Sequence, residues 1–173
     1  KAEAVNWCEG DICIELDHDD ILEPTAVEKV REAFKNNPNA VFVYSDFTYI
    51  NEDGTPHKSM YSSEFGWSYR EEDEFVVPNG MSSHPHNVAH IWYAPNHLRA
   101  FKKDAYLATG GYDRSLIVLD DQDIMYKMYM QGEFYHIPEC LYYQRVHPNN
   151  TQAREDINPF IQEETIRMYD RTV

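Results

Sequence analysis

The sequence has no apolar segment long enough to cross a membrane. Its longest apolar runs, such as residues 41–44, have the length of a strand, whereas a spanning helix needs about 20 predominantly apolar residues. Residues 1–4 also lack the apolar core of a signal peptide. We therefore expect a cytoplasmic protein, and the sequence is also compatible with peripheral association at a membrane surface.

Cysteine is scarce, and the chain contains only Cys8, Cys13 and Cys140. The three form no CxxC pair and leave an odd number, so neither a disulfide framework nor a zinc site is indicated. We interpret them as reduced thiols that mostly pack against apolar neighbours.

Basic residues are also few. Lys and Arg together number 15 against 30 Asp and Glu, which gives a formal net charge of −15. Because nucleic-acid phosphates are bound by clustered positive charge, this balance argues against a nucleic-acid partner. An acidic chain can still bind a phosphorylated ligand when a divalent cation lies between the two.

The chain is long enough for one domain with its own core. It has 173 residues, of which 42% are hydrophobic and 14% aromatic, so it is not a disordered chain. No internal repeat or linker interrupts it, and we expect a single domain over residues 1–173.

Hydrophobic periodicity in the first half predicts an α/β domain. Residues 1–9 have a helical pattern, and residues 11–16 indicate a buried strand. A helix is predicted from Pro24 to about Asn36, followed by a second buried strand over residues 40–44. A strand, a helix and a strand with short connections form a βαβ unit, which implies a mainly parallel sheet.

The second half has shorter predicted elements. Residues 56–90 are expected to be irregular. After them, the pattern predicts helices over 101–107, 122–131 and 159–168, and strands over 134–137 and 141–146 around Pro138.

Three carboxylates, those of Asp17, Asp19 and Asp20, follow directly after the first predicted strand. Like charges this close repel one another, and a hard divalent cation such as Mg²⁺ or Mn²⁺ relieves the repulsion because it prefers oxygen ligands. Open α/β folds also bind ligands at the ends of their strands. The alternative is charge that stabilises the start of the following helix, which explains Asp20 but accounts less well for the other two.

A second acidic cluster, Asp120, Asp121 and Asp123, opens the helix predicted at 122–131. One carboxylate there would cap the helix, which is the simpler interpretation. Three exceed what capping needs, and a carboxylate beside a substrate hydroxyl can act as a general base. His147 ends the last predicted strand, and its imidazole suits Mn²⁺, although a single His is more often a surface or packing residue.

Five short motifs follow one another along the chain. The first comprises Ala4, Asn6 and residues 10–12 and leads into residues 16–20. The second comprises residues 43–46 and 53–54. The remaining three are residues 101–112, 120–124 and 143–147. In this order they resemble the motifs of the family 2 glycosyltransferases, which are inverting enzymes with the GT-A fold. The resemblance covers nearly the whole sequence, and residues 17–19 stand at the family's DxD motif.

The resemblance implies a metal and donor site. Asp17 matches the first Asp of DxD, which faces the nucleotide ribose and the metal, and Asp19 matches the metal-binding Asp. His147 matches a late His that completes the metal and diphosphate site, with Mn²⁺ or Mg²⁺ as cofactor. His97 and Arg99 are expected near the diphosphate or the acceptor, from their place before the predicted helix at 101–107.

The resemblance also implies the reaction. Asp121 matches the base that deprotonates the acceptor hydroxyl, and Asp120 stands where the family usually has Glu. The implied enzyme moves a sugar from a nucleotide-sugar of the UDP-sugar class to a glycan hydroxyl with inversion at C1. Synthesis of a cell-surface polysaccharide is the implied setting.

The fold implied by the resemblance is a GT-A domain, an α/β architecture with three αβα layers and a mainly parallel central sheet. Against that pattern, the opening strands that cradle the nucleotide base are missing. We therefore expect an N-terminally incomplete GT-A domain whose exposed sheet edge favours association into oligomers.

In the family that the chain resembles, the segment between the second strand and the Gly110–Gly111 motif helps shape the acceptor pocket. The aromatic residues, histidines and arginine that this segment contains here are therefore expected to contribute to that pocket, and aromatic faces suit sugar rings. The alternative is that most of them only pack in the core or in loops. They are Trp67, Tyr69, His84, His86, His90, Trp92, Tyr93, His97 and Arg99.

Two other functions stay open at this point. The same carboxylates could activate water in a metal-dependent phosphoester or nucleotide hydrolase, although no second set of metal ligands and no nucleophile motif is visible. The chain could also be a glycan-binding module without catalytic activity.

Overall fold

A five-stranded mixed sheet forms the centre of the fold in the computed structural model, which describes residues 1–58, 66–90, 95–148, 150 and 154–172. The helices are α1 (Ala2–Trp7), α2 (Ala26–Asn36), α3 (Pro85–His90), α4 (Lys103–Ala108), α5 (Asp120–Tyr129) and α6 (Asn158–Thr172). The strands are β1 (Ile12–Glu15), β2 (Ile21–Leu22), β3 (Ala40–Ile50), β4 (Tyr69–Glu72), β5 (Phe75–Pro78), β6 (Arg99–Lys102) and β7 (Glu133–Arg145).

The sheet order is β1-β6-β3-β7-β2, and only the β3–β7 pairing is parallel. The prediction of a mainly parallel sheet is therefore wrong. β1 and β3 run in the same direction, as the βαβ pattern indicated, but β6 lies between them and is antiparallel to both. The sequence analysis began a helix at residue 101, so it did not identify β6.

The two faces of the sheet carry separate cores, which confirms the predicted αβα layers. On β3, Phe42 and Tyr44 point to the face covered by α1, α4 and α5, whereas Val43 and Phe47 point to the face covered by α2. This alternation follows from the two-residue period of a strand. Each fully buried large apolar side chain contributes about 1.5–3 kcal/mol, so both helix layers are held mainly by apolar contact.

β7 continues through Pro138 as a single strand, whereas two strands were predicted. Proline has no N–H to donate to a neighbouring strand. The pairing accommodates it through register shifts on β3, between Ser45 and Asp46 and between Asp46 and Phe47. The ladder resumes beyond them, and β7 therefore carries its C-terminal end to the edge where β1 also ends.

Residues 56–90 are more regular than predicted, since they contain the hairpin β4–β5 and helix α3. The buried carboxylate of Asp46 ties this region to the sheet. It accepts hydrogen bonds from Arg70 Nη1 at 2.5 Å and from the backbone N–H of Gly80 at 2.7 Å. His136 Nε2 lies 2.6 Å from the same side chain, so one carboxylate joins β3, the hairpin and β7.

Several smaller predictions are also addressed by the fold. Cys8, Cys13 and Cys140 are free thiols, and Cys13 is buried in the core. Among the described ranges, no helix combines the length and the apolar character needed to span a bilayer. β1 forms one edge of the sheet; association through that edge stays a prediction.

Candidate functional site

The two acidic clusters line one pocket of about 440 Å³. Asp17, Asp19 and Asp20 enter it from the loop after β1, and Asp120 and Asp121 from the first turn of α5. His147, just beyond β7, completes this wall. The structure thus brings together three segments that the sequence analysis had singled out separately.

Asp19 and His147 form a close pair in the pocket wall, since His147 Nε2 lies 2.7 Å from Asp19 Oδ2. This hydrogen bond lowers the pKa of the Asp19 carboxyl below its ordinary value. The backbone N–H of His147 donates to Asn150 Oδ1 at 2.7 Å, which fixes the chain after β7.

Asp17 is held more loosely than Asp19. Its backbone N–H donates to the Tyr142 hydroxyl at 3.2 Å, but its side chain is 46% exposed. His97 Nε2 lies 3.9 Å from Asp17 Oδ2. Burial of the carboxyl group raises the pKa of Asp17, so the charged form gains from a cation in the pocket.

Asp20 has a structural part in the same loop. Its carboxylate accepts hydrogen bonds from the Tyr142 hydroxyl and from the backbone N–H of Arg145, each at 2.7 Å. Burial raises the pKa of Asp20. The suggestion that Asp20 stabilises the start of a helix is not met in this geometry, because the side chain binds β7 and so fastens the acidic loop to the sheet.

The donor atoms around Asp19 fit a divalent cation in their chemistry. Two carboxylates and an imidazole suit Mn²⁺ and are compatible with Mg²⁺. Within the described part of the chain, however, no group of three or more His, Cys, Asp or Glu side chains is gathered closely enough to hold a metal. The preformed part is the Asp19–His147 pair, and Asp17 lines the same pocket.

Asp121 is fixed from two sides. Its Oδ2 accepts a hydrogen bond from Arg99 Nη1 at 3.0 Å, and its Oδ1 accepts one from the backbone N–H of Gln122 at 2.9 Å. Burial alone would raise the pKa of Asp121, but the Arg99 charge lowers it below the ordinary value. The carboxylate is therefore ionised, and its place in the first turn of α5 also favours the negative charge.

The residue before this helix adopts an uncommon backbone conformation. Leu119 has a φ of 61°, in the left-handed region that residues with a Cβ rarely adopt. Its side chain is buried with Val118 and Ile161 of α6. We infer that this packing holds the sharp turn that directs Asp120 and Asp121 into the pocket.

Arg99 and His97 lie behind the pocket wall, and neither is among the described residues that line it. Arg99 is 4% exposed and contacts Glu15 as well as Asp121. His97 stacks on Tyr142 with ring centroids 4.7 Å apart, and burial lowers its pKa to about 3. A contact of either side chain with a diphosphate stays a prediction.

Glu15 was not among the predicted site residues, although a charged residue in an otherwise apolar strand was a visible signal. Its carboxylate lies 2.7 Å from Lys1 Nζ and 3.7 Å from Arg99 Nη1. Burial alone would raise the pKa of Glu15, but these two positive charges lower it to about 2.

The residues of the middle region divide into packing and exposed groups. Trp67 is 5% exposed and belongs to the core, which favours the packing interpretation for this residue. His84 and His86 are exposed at the start of α3. Trp92, Tyr93 and the side chain of His90 lie outside the described residues, and an acceptor role for the region stays a prediction.

Comparisons with known proteins show the family and the fold of the chain. The chain is 27% identical over 152 residues to a chondroitin synthase of Escherichia coli, a match that covers 88% of this chain and 20% of that protein. It is 26% identical over 152 residues to a hyaluronan synthase of Pasteurella multocida, a match that covers 88% of this chain and 14% of that protein. The chain thus spans about a fifth or less of these relatives.

Among solved structures, the fold is similar to that of S. aureus TarS 1-349, with a TM-score of 0.62 and 12% identity. This match covers 97% of this chain and 42% of that one. The likeness confirms the predicted GT-A-like α/β fold. The sequence profile described as "Glycosyl transferase family 2" matches residues 2–94, more than half of the chain. The chain therefore belongs to glycosyl transferase family 2.

Proposed function

We propose that this chain transfers a sugar from a nucleotide-sugar, of the UDP-sugar class, to a hydroxyl of a glycan acceptor with inversion. The observation that carries the proposal is that the Asp19–His147 pair and the ionised Asp121 line one pocket. The names of the relatives, chondroitin and hyaluronan synthases, support a role in polysaccharide synthesis.

The donor half of the pocket would hold the diphosphate through a cation. Asp17, Asp19 and His147 are the residues that would bind Mn²⁺ or Mg²⁺. When bound, the cation supplies positive charge that offsets the charge developing on the leaving diphosphate. It also separates that diphosphate from the carboxylates of an acidic pocket.

The acceptor half supplies the base. Asp121 takes the proton from the acceptor hydroxyl, and the oxygen attacks C1 of the donor sugar on the side opposite the diphosphate. The bond between C1 and the phosphate oxygen breaks as the new glycosidic bond forms, which inverts the configuration at C1. Asp120 lines the same wall and adds negative charge beside the base.

The test is a calorimetric titration of UDP into the chain with and without Mn²⁺, followed by transfer assays with a panel of UDP-sugars and glycan acceptors. Wild type should bind UDP in a Mn²⁺-dependent way, and Asp19→Asn should lose that binding. Asp121→Asn should keep the binding and lose transfer. Asp104→Asn is the matched control, because Asp104 is exposed on α4 and is not among the described residues that line the pocket.

Four results would overturn parts of the proposal. If the affinity for UDP is the same with and without Mn²⁺ and in Asp19→Asn, the assignment of Asp19 as a metal ligand is wrong. Retained transfer by Asp121→Asn would remove the base. Phosphate release from simple esters without a sugar acceptor would favour the hydrolase, and glycan binding without any turnover would favour the binding module.

A further inference from the structure

Four charges of alternating sign form a row whose outer members, Lys1 and Asp121, line the pocket and whose inner members, Glu15 and Arg99, lie behind its wall. Lys1 Nζ lies 2.7 Å from Glu15 Oε1, Glu15 Oε2 lies 3.7 Å from Arg99 Nη1, and the same Arg99 nitrogen lies 3.0 Å from Asp121 Oδ2. The inner members are well shielded, since the side chains of Glu15 and Arg99 are 11% and 5% exposed.

The backbone fixes the centre of this row. Glu15 and Arg99 are directly paired residues on the antiparallel strands β1 and β6, so their side chains share one face of the sheet. Arg99 Nε also donates to the carbonyl of Pro95 at 3.3 Å. With both Nε and Nη1 engaged, the planar guanidinium group is restricted to one orientation.

The orientation of the Arg99 guanidinium determines the orientation of the Asp121 carboxylate. Arg99 contacts Oδ2 of Asp121 and the Gln122 backbone contacts Oδ1, so the carboxylate has one contact on each oxygen. Glu15 Oε2 lies 3.7 Å from the same Nη1 atom that binds Asp121, so this nitrogen is attracted by both carboxylates. Removing Glu15 would therefore change the position of Arg99 and, through it, that of Asp121.

We propose that Glu15 and Arg99 are positioning residues that hold the carboxylate of Asp121 at the angle required to accept the proton of the acceptor. The inference rests on the proposed function, in which Asp121 is the base. It assigns no direct contact with substrate to either residue. A displacement of about 1 Å in a reacting group can cost roughly 100-fold in rate, so even a small shift of the row would be measurable.

The test compares Glu15→Gln and Arg99→Lys with wild type in the transfer assay. Glu15→Gln keeps the shape of the side chain, and Arg99→Lys keeps the charge but loses the planar fork. We expect kcat to fall roughly 10- to 100-fold in Arg99→Lys and about tenfold or less in Glu15→Gln. The KM for the donor and the affinity for UDP should stay within about twofold, because the donor half of the pocket is untouched.

A purely structural ion pair would give a different pattern. Its loss would lower kcat, raise the donor KM and weaken UDP binding together, or it would leave all three unchanged in a folded variant. Either result overturns the inference. Glu139→Gln is the control, because Glu139 forms a surface ion pair with Lys29 at 2.9 Å and is not among the described residues that line the pocket. It should change none of the three quantities.

Failure of the inference can be separated from failure of the proposed function. If Asp121→Asn abolishes transfer but Glu15→Gln and Arg99→Lys keep wild-type kcat, only the positioning role is wrong. If Asp121→Asn keeps transfer, the base assignment fails as well. Crystal structures of the two variants give a test that does not depend on activity. A rotated Asp121 carboxylate in an otherwise unchanged fold supports the inference. A carboxylate in the wild-type position in both variants overturns it.

Discussion

The donor and acceptor halves of the pocket hold their carboxylates in different ways. In the proposed reaction, Asp17 and Asp19 belong to the donor half, where imidazoles face them: His97 Nε2 at 3.9 Å from Asp17 and His147 Nε2 at 2.7 Å from Asp19. Asp121 on the acceptor half contacts a buried guanidinium and a backbone N–H. Under that proposal a cation and a diphosphate would complete the donor half, whereas both oxygens of Asp121 already have partners.

This difference corresponds to the two tasks in the proposed reaction. A diphosphate must enter and leave in every cycle, which favours side chains that can adjust. A base must meet one hydroxyl at one angle, which favours a carboxylate whose position does not depend on the ligand. Substitutions of similar chemistry should therefore have unequal effects in the two halves.

The largest effect is expected for Asp121→Glu. The added methylene moves the carboxylate relative to Arg99, which is itself fixed by Glu15 and Pro95. We expect kcat to fall roughly 100-fold with UDP affinity unchanged, as measured by transfer kinetics beside calorimetry. Near-normal kcat would show that the acceptor half adjusts as freely as the donor half.

His147→Gln should give the next largest effect. The amide keeps a similar size but loses the imidazole donor that faces Asp19. We expect Mn²⁺ affinity to fall by roughly tenfold or more, read from a Mn²⁺ titration without nucleotide. An unchanged affinity would mean that His147 only orients Asp19.

Folding stability should depend on pH through His97. Burial lowers its folded-state pKa to about 3, so the unfolded chain binds one more proton between pH 6.5 and 3. The free energy of unfolding should thus fall by about 1.4 kcal/mol for each pH unit of acidification in that range, and no further loss from this group should occur below it.

Urea unfolding at pH 7, 5.5 and 4.5 measures this dependence. The His97→Gln variant is the comparison, because the contributions of all other groups cancel in the difference between the two slopes. If the free energy of unfolding depends on pH equally in wild type and in His97→Gln, burial beneath the donor half does not keep His97 neutral.

Asp17→Glu is expected to give the smallest effect. His97 Nε2 lies 3.9 Å from Asp17 Oδ2, beyond hydrogen-bond distance, so the half-exposed side chain can accommodate the longer stem. Transfer should change by no more than about threefold, in keeping with the small effects of substitutions at exposed positions. A loss as large as that of Asp121→Glu would remove the contrast between the two halves.

The site segments were predictable because each stands at the boundary of an element with a clear pattern. Asp17 and Asp19 follow an apolar strand, Asp121 opens a helix, and His147 follows a strand. Elements of a three-layer α/β fold bring such boundaries to one edge of the sheet. Local pattern identified these segments, but their assignment to one site came from the resemblance to the family 2 glycosyltransferases.

The order of the strands and the support behind the base could not be predicted in this way. β6 is four residues long and begins and ends with the charged residues Arg99 and Lys102, so its sequence shows no apolar run. The pairing of Glu15 with Arg99 is a cross-strand contact between distant segments, and no local periodicity encodes such a partner. Glu15 could only be recognised as an anomaly within its strand.

The insertion of β6 between β1 and β3 has a consequence for how the chain folds. β1 and β3 are complete by residue 50, but they cannot pair with each other because the strand that joins them begins at Arg99. Until that segment arrives, the two strands face a gap of about 10 Å, twice the spacing between neighbouring strands. Formation of the central sheet therefore requires contacts between residues far apart in the sequence, which predicts slow folding for a chain of this size. During synthesis, β1 and β3 would remain unpaired edge strands until β6 is made.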